Sequence, residues 1–244
     1  MSTNGVTLWI PGPWQNRSEF NAAVAATDTG VMAAAGKLFD SRARRHAECE
    51  LLERNGHIMR EMFIGSGRAF EQPTLEAIND HKSIASVTIS DTSAERLDDQ
   101  LDVFTRAVRA AGGVAVKVHY SGLSHGWARW EDQLGSEMPA GLFRLLVVQV
   151  RDPEQGLLSS FGMKQFSLPD ASIPDARGDV DAAWTLFEFN IYVWDQQPKL
   201  ENGHTFSRAD IGATRYRLNH AVDRRYPEGH HYLNPHGIWE LTPV

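Results

Sequence analysis

The fold is decided by residues 84–130, which read IASVTISDTSAERLDDQLDVFTRAVRAAGGVAVKVHYSGLSHGWARW. Two apolar runs, 84–89 and 114–118, flank an amphipathic segment at 94–111, and a polar and aromatic stretch follows at 119–130. Short apolar runs are typical of buried strands, and the amphipathic segment predicts a helix. Because the links between them are short, we expect two parallel strands joined through the helix by a right-handed crossover.

The helix predicted at 94–111 has a regular apolar face and identifiable ends. Its apolar positions recur every three or four residues, which places them on one side of a helix. These positions are Ala94, Leu97, Leu101, Phe104, Val108 and Ala111. Thr92 and Glu95 match a capping box at the helix start, and Gly112-Gly113 supplies the residue that ends the helix.

An acidic edge lies beside this apolar face. It consists of Glu95, Asp98, Asp99 and Asp102, which share one side of the helix. Like charges four residues apart cost a helix about 0.2–0.5 kcal/mol per pair. The edge is explained either as a solvated helix face or as a patch that meets a basic protein surface, such as the nucleic-acid-binding cleft of a nuclease.

The stretch 119–130 and the residues just after it contain side chains used in acid–base catalysis. The candidates are His119, His125, Glu131 and Asp132, with Ser121 and Ser124 as nearby hydroxyl groups. The Gly-x-Ser-x-Gly motif of a nucleophilic serine is missing, however. The simpler interpretation is a structural loop whose Trp127 and Trp130 pack onto the sheet, so we expect no catalytic residue here.

The histidine content raises the question of a metal site. Five histidines lie late in the chain: His204, His220, His230, His231 and His236. Zinc sites usually combine a tight histidine pair, such as His-x3-His, with a third ligand, and that spacing is missing here. We therefore expect neither a metal ion nor a cofactor, and we interpret the late histidines as exposed loop residues.

The remaining segments mix strands and helices. Strands are predicted at 6–10, 31–39, 48–53, 143–150, 157–168, 213–221 and 238–241, and helices at 17–27, 57–64, 74–81, 127–134 and 180–195. The run at 143–150 reads as a central strand that forms a hairpin with 157–168, and 169–179 reads as a loop. This order predicts an α+β fold with mixed sheets and packed helices, arranged as two ferredoxin-like β-α-β-β-α-β halves. We expect halves at 1–83 and 84–244 within one compact unit.

The helix predicted at 180–195 is apolar around most of its circumference. Its main stripe comprises Val180, Ala183, Trp184, Phe187, Ile191 and Trp194. Leu186, Phe189 and Val193 widen the stripe, which predicts burial on most sides. Asp179 is placed to cap the start of this helix.

Composition limits the class of protein. The 244 residues include 42% hydrophobic and 23% charged residues, as in ordinary globular proteins. No apolar run is long enough to span a membrane, and the first residues do not resemble a signal peptide. A single cysteine, Cys49, suits a reducing compartment, so we expect a bacterial cytoplasmic protein. The net charge of −7 disfavours nucleic acid as a partner, because phosphate contacts need clustered Lys and Arg.

Several motifs resemble those of a bacterial domain-of-unknown-function family associated with polymorphic toxin systems. They are IPGPW at 10–14, HKS at 81–83, AAGGVAVKV at 110–118, SGLSH at 121–125 with Trp130, GMKQFSLPD at 162–170, GHTF at 203–206 and GIWEL at 237–241. The resemblance covers most of the chain. Its motifs are turns, a strand and a helix end, and they imply no catalytic residue.

The resemblance implies an immunity protein of type VI secretion that protects a cell by binding a cognate toxin, with a nuclease as the expected toxin. The protein would not be an enzyme. The expected toxin-binding residues are Glu95, Asp98, Asp99, Asp102, His125, Trp127, Arg129 and Trp130. The alternatives are a hydrolase that uses His125 with Asp132 or the late histidines, and an adaptor of the secretion machinery.

Overall fold

The computed structural model describes residues 5–136, 138–175, 180–209 and 214–244. The chain divides into two compact units, Met1–Leu145 and Leu146–Val244, and each unit contains its own β-sheet. Both sheets carry packed helices, so the predicted α+β class is confirmed.

The described residues of the first unit form a sheet of seven strands. In chain order the strands are β1 Val6–Gly12, β2 Val31–Ala34, β3 Lys37–Asp40, β4 Arg45–Glu53, β5 Ser83–Ile89, β6 Val116–Val118 and β7 Ser124–His125. Their order across the sheet is β2-β3-β4-β5-β1-β6-β7, and neighbouring strands are antiparallel. The sheet therefore centres on β1 and β5, whose apolar residues are almost completely buried.

Six helices accompany this sheet in the described residues. They are α1 Arg17–Ala25, α2 Ile58–Gly65, α3 Gln72–Asn79, α4 Ala94–Ala110, α5 Trp127–Leu134 and α6 Ala140–Leu146. The helices predicted before residue 135 are confirmed, with small shifts at their ends. Helix α4 is the longest of them and buries Leu97, Leu101, Phe104 and Val108, as its periodicity predicts.

The strands before and after α4 are parallel, as predicted, but they are not neighbours in the sheet. Strands β5 and β6 are both antiparallel to β1 and lie on either side of it, so they are parallel to each other with β1 inserted between them. The predicted capping box is wrong, because Ser93 is the N-cap residue and makes no side-chain cap. The helix ends as expected at Gly112, which has a φ of 105°, and the Gly113 N–H donates to Val108 O at 2.9 Å.

Two strand predictions in the first unit need correction. The run 31–39 is a hairpin, because Ala35 and Gly36 both adopt positive φ and reverse the chain between β2 and β3. Strand β1 also continues through Pro11, whose carbonyl accepts a hydrogen bond from the Val114 N–H. A residue without an N–H can remain in a strand when its carbonyl still finds a donor.

The second unit contains a sheet of six strands within the described residues. The strands are β8 Val148–Asp152, β9 Leu157–Phe161, β10 Asp170–Pro174, β11 Thr205–Phe206, β12 Tyr216–Ala221 and β13 Ile238–Pro243. Their order is β11-β12-β13-β10-β9-β8, with β10 and β13 parallel and the other neighbours antiparallel. Helix α7, Val180–Gln196, packs against one face of this sheet.

Three predictions around β8 to β10 are wrong or incomplete. The run 143–150 is not a central strand: helix α6 occupies its first part, and β8 is an edge strand. A short apolar run suits a buried helix as well as a strand, so periodicity cannot distinguish them. The hairpin of β8 and β9 is confirmed, but β9 ends at Phe161 because Gly162 has a φ of 120°. The predicted loop 169–179 contains β10. Its last four residues, which include the predicted cap Asp179, lie outside the described residues.

Helix α7 buries part of the predicted apolar surface. Its buried apolar residues are Ala182, Leu186, Phe189, Val193 and Trp194, and all of them except Ala182 belong to the predicted stripe or its widening. In the predicted stripe, by contrast, Val180 is 67% exposed and Trp184 is 45% exposed. Because the helix is apolar nearly all round, its pattern does not single out the side that meets the sheet.

The arrangement in two ferredoxin-like halves is not found. In the first unit three strands, β2, β3 and β4, separate α1 from α2, whereas a β-α-β-β-α-β unit has two strands between its helices. In the second unit the described α-helix that follows β8, β9 and β10 is α7, and three further strands come after it. The sequence also placed a division after residue 83, whereas the units divide after Leu145. Strand β5 begins at Ser83 and is hydrogen-bonded to both β4 and β1, so it cannot be separated from the strands before it.

Candidate functional site

The acidic edge of α4 is partly neutralised by arginines. Asp99 forms an ion pair with Arg45 of β4, and Arg45 also donates from Nε to Asp40 Oδ2 at 2.8 Å. Asp102 forms an ion pair with Arg106 one turn later on the same helix. Two of the four carboxylates therefore hold α4 to the sheet or to itself, and they present less free charge than the sequence suggests.

The other two carboxylates differ from each other. Glu95 is exposed and forms no ion pair with a described residue. Asp98 is half-buried, and its Oδ1 atom accepts no hydrogen bond from the residues that the structure describes. Burial, with the neighbouring charges of Asp102 and Asp99, raises the pKa of the Asp98 carboxyl. The charged edge is thus mildly unfavourable for the isolated protein.

His125 and Trp130 lie in the interior, so they cannot serve as contact residues on a surface. His125 is 2% exposed, and its Nε2 atom lies 2.9 Å from the carbonyl oxygen of Leu145. Burial lowers the pKa of His125 to about 4, so the ring is neutral at pH 7. Trp130 is completely buried and donates from Nε1 to Thr105 Oγ1 at 3.0 Å. The expectation that these two residues bind a toxin is corrected.

Trp127 and Arg129 remain accessible. Trp127 is half-buried, donates from Nε1 to Gly113 O at 2.8 Å, and has the Arg109 guanidinium 5.8 Å from its ring centre. Arg129 is exposed on the same helix. The predicted packing of both tryptophans is therefore correct for Trp130 and partly correct for Trp127.

The residues proposed for hydrolysis do not come together as a catalytic pair. The His125 ring bonds a backbone carbonyl, whereas Asp132 is exposed and accepts from its neighbour Gln133. Cys49 is buried, and burial raises the pKa of its thiol to about 12, which disfavours the reactive thiolate. Within the described residues, no group of three or more His, Cys, Asp or Glu side chains is arranged to hold a metal ion.

A concave surface lies on the second sheet, on the face opposite α7. Successive side chains of a strand point to opposite faces of the sheet. The strand residues that alternate with the core residues packed against α7 therefore face this surface. We call this surface the second-sheet groove; it has a volume of about 600 Å³ and is lined by residues including Val150, Ser159, Ser172, Arg224, Tyr226 and Glu240. The groove cannot be predicted from local sequence patterns, because the strands that form its floor and the segment that forms its wall come from distant parts of the chain.

The wall of the groove is the segment 222–237 between β12 and β13, and Arg225 fixes it in place. Its guanidinium donates to Asp170 Oδ2 at 2.8 Å, to Asp223 Oδ1 at 2.9 Å and to the Ser160 carbonyl at 3.0 Å. It also lies 4.1 Å from the centre of the Phe161 ring. One side chain thus joins the wall to β9 and β10.

The two carboxylates bound to Arg225 are buried and hydrogen-bonded on their other sides. Asp170 Oδ1 accepts from the Met163 N–H at 3.1 Å, and Asp223 Oδ2 accepts from the Asn234 N–H at 3.0 Å. Burial raises the pKa of Asp170 to about 6, against the opposing effect of Arg225. For Asp223 the hydrogen bonds from Arg225 outweigh burial and hold its pKa below the usual value.

A second cation secures the far part of the wall. Lys164 Nζ donates to the carbonyl oxygens of His231 and Leu233, the latter at 3.3 Å. Tyr226 stacks on His230 with ring centres 4.4 Å apart. The exposed position predicted for His230 and His231 is correct, but their segment is ordered by these bonds. The sequence signal for this cluster is the pair Arg224-Arg225 directly after Asp223.

Comparisons with family models, curated protein sequences and solved structures found no match. In the described part of the chain, no helix has the length and apolar character needed to cross a membrane.

Proposed function

We propose that this protein is an immunity protein that binds a cognate antibacterial toxin in the cytoplasm and neutralises it without chemistry of its own. The expected toxin is a type VI secreted nuclease. The second-sheet groove is the observation that carries this proposal. It combines exposed apolar, aromatic and charged side chains, which is the mixture found at protein interfaces.

The groove is held in one shape by buried interactions. Arg225 and Lys164 bind the wall at two separate places, so little conformational freedom would be lost when a partner binds. A preformed surface favours tight association, because affinity depends on the ordering cost as well as on buried area. This property suits an inhibitor that must hold a toxin for long periods.

The buried ionisable groups also favour a binding role. His125 bonds the Leu145 carbonyl, and Asp170 bonds Arg225 and a backbone N–H. These side chains have shifted pKa values, yet their bonds are directed to the protein itself. Shifted pKa values indicate a catalytic site only when the groups meet in a cleft that a substrate can enter.

The nuclease as partner follows from the family resemblance and from charge. Nucleases bind phosphate groups through basic clefts, and this chain has a net charge of −7. Opposite charges accelerate association, and the acceleration weakens as salt is added. We therefore expect faster binding to the toxin at low ionic strength than at high ionic strength.

The test is protection of a cell that produces the toxin domain encoded beside this gene. Coexpression of the protein should restore growth, and the two purified proteins should form a stable complex in size-exclusion chromatography. An unrelated acidic protein with a similar net charge serves as the control. Continued killing by the toxin, with folded protein present and no complex formed, would reject the proposed function.

A further inference from the structure

The floor of the second-sheet groove contains two hydroxyl groups that have no partner among the described residues. Ser159 of β9 lies directly opposite Ser172 of β10, and Ser172 lies opposite Glu240 of β13. Ser159 is 7% exposed and Ser172 is 6% exposed, and both line the groove. Neither hydroxyl bonds another side chain or the backbone within the described ranges. A buried hydroxyl usually has a partner, so this pair is available to a ligand.

Within the described part of the chain, two carboxylates without a cation partner line the groove: Glu240 lies in the same row as the two serines, and Asp152 lies in the next row, opposite Leu157. Glu240 is exposed, accepts from Asn219 Nδ2 at 2.9 Å and pairs with no cation among the described residues. Asp152 accepts two backbone N–H groups, from Glu154 and Gln155, each at 3.0 Å. Each carboxylate therefore keeps a negative charge that no arginine or lysine of the described residues neutralises.

The positive charges that line the groove lie on its wall, whereas the free carboxylates lie on its floor. Arg225 is bound to Asp170 and Asp223, so its charge is already matched. Arg224 is exposed on the wall. The floor, by contrast, offers hydrogen-bond acceptors and negative charge. An anion would be repelled by Glu240, whereas a cation would find a carboxylate and two hydroxyl oxygens.

Apolar side chains complete the surface. Leu157 and Phe161 lie on the same strand and the same face as Ser159, and Ile238 precedes Glu240 by two residues. A long side chain with methylene groups and a charged end would pack its stem on these residues and place its charge at the floor. Lysine and arginine have this structure.

We propose that the second-sheet groove receives a lysine or arginine side chain from a surface loop of the toxin, with Glu240, Ser159 and Ser172 as its hydrogen-bond acceptors. This inference rests on the proposed function and names the surface that performs it. It places the contact on the second unit, whereas the acidic edge of α4 belongs to the first. Arginine fits best, because its guanidinium has several donors for several acceptors.

The first experiment measures affinity for the purified toxin domain by isothermal titration calorimetry. Glu240→Gln should weaken binding about tenfold, and Glu240→Lys should weaken it about a hundredfold, because it places a like charge at the contact. Glu50→Gln removes an exposed carboxylate from the first sheet and should leave affinity within about twofold, since isolated surface charges contribute little. Circular dichroism checks that each variant is folded.

The second experiment does not depend on the toxin. Nα-acetyl-argininamide is titrated into the full-length protein while amide chemical shifts are recorded by NMR. The shifts of Ser159, Ser172 and Glu240 should move in the wild type and remain fixed in Glu240→Lys. If the wild type binds the toxin but the Glu240 variants bind it equally well, and the probe shifts nothing in the groove, this inference is overturned while the proposed function stands. If the wild type does not bind the toxin, the proposed function fails.

Discussion

The guanidinium of Arg225 donates to Asp170 Oδ2 at 2.8 Å and thereby joins two segments that are 55 residues apart in the chain. Asp170 begins β10, the strand that contributes Ser172 to the second-sheet groove, whereas Arg225 belongs to the wall of the groove. The same guanidinium binds Asp223, so one cation serves two buried carboxylates. The shape of the groove depends on this arrangement.

Replacing Arg225 with Met should strongly destabilise the second unit. The substitution leaves Asp170 and Asp223 buried without their cation, and removal of one partner of a buried ion pair costs about 3–5 kcal/mol. Urea unfolding at pH 7 measures this loss. Arg208→Met, which removes an arginine paired with the more exposed Asp181 and Glu188, is the matched control and should cost less. A loss below about 1 kcal/mol for Arg225→Met would contradict the central role of this residue.

Asp170→Asn should change how stability depends on pH. Burial raises the pKa of Asp170 in the folded protein from its ordinary value of 3.8 to about 6, so the folded protein binds this proton more tightly than the unfolded chain does. The wild type should therefore lose stability relative to Asp170→Asn as the pH rises from 4 to 6, and the two curves should be parallel above pH 7. Urea unfolding of both proteins at a series of pH values checks this. If the wild type instead gains stability over the variant in this range, the positive charge of Arg225 affects the pKa of Asp170 more than burial does.

The regular parts of the fold were accessible from the sequence because their periodicity admits one interpretation. Helix α4 is an example: its apolar residues define a single face, and Gly112 marks its end. The segment that forms α6 has no such constraint, since Leu142, Phe143, Leu145 and Leu146 are all buried and consecutive apolar residues suit either structure. Local pattern therefore predicted amphipathic elements better than fully buried ones.

The candidate site was less accessible, for a topological reason. Ser159, Ser172 and Glu240 become neighbours only because β9, β10 and β13 are adjacent, and the parallel pairing of β10 with β13 cannot be read from local spacing. Two of the residues expected to bind the toxin instead have structural roles. They are His125 and Trp130, and both are buried and hydrogen-bonded inside the first unit.

His125→Leu should destabilise the first unit and leave toxin binding unchanged. The buried Leu145 carbonyl would lose its hydrogen-bond partner, which costs about 1–3 kcal/mol at pH 7. Burial lowers the pKa of His125 in the folded protein from its ordinary value of 6.5 to about 4, so the stability of the wild type falls as the pH drops from 6.5 towards 4. The variant should lack this contribution. Unfolding curves at pH 7 and pH 5 measure the change in stability, and calorimetry against the toxin domain measures the affinity. A loss of affinity in the folded variant would show that His125 is a contact residue after all.

Asp98→Asn should stabilise the protein, whereas Asp99→Asn should weaken it slightly. Asp98 is half-buried and its charge is opposed by burial, Asp102 and Asp99, so its removal should gain about 0.5 kcal/mol. Asp99 is exposed and paired with Arg45, and loss of such a pair costs about 0.2–1 kcal/mol. Thermal unfolding at low and high salt measures these changes, which should diminish as salt screens the charges.

The same two variants decide between the acidic edge of α4 and the second-sheet groove as the toxin-binding surface. Each removes one negative charge, as Glu240→Gln does, so long-range electrostatic attraction falls equally in the three proteins. If the groove forms the contact, Asp98→Asn and Asp99→Asn should retain toxin affinity within about threefold, because charges outside a contact act mainly on the rate of association. A tenfold loss in either α4 variant, with Glu240→Gln unaffected, would assign binding to the helix, as the sequence alone suggested.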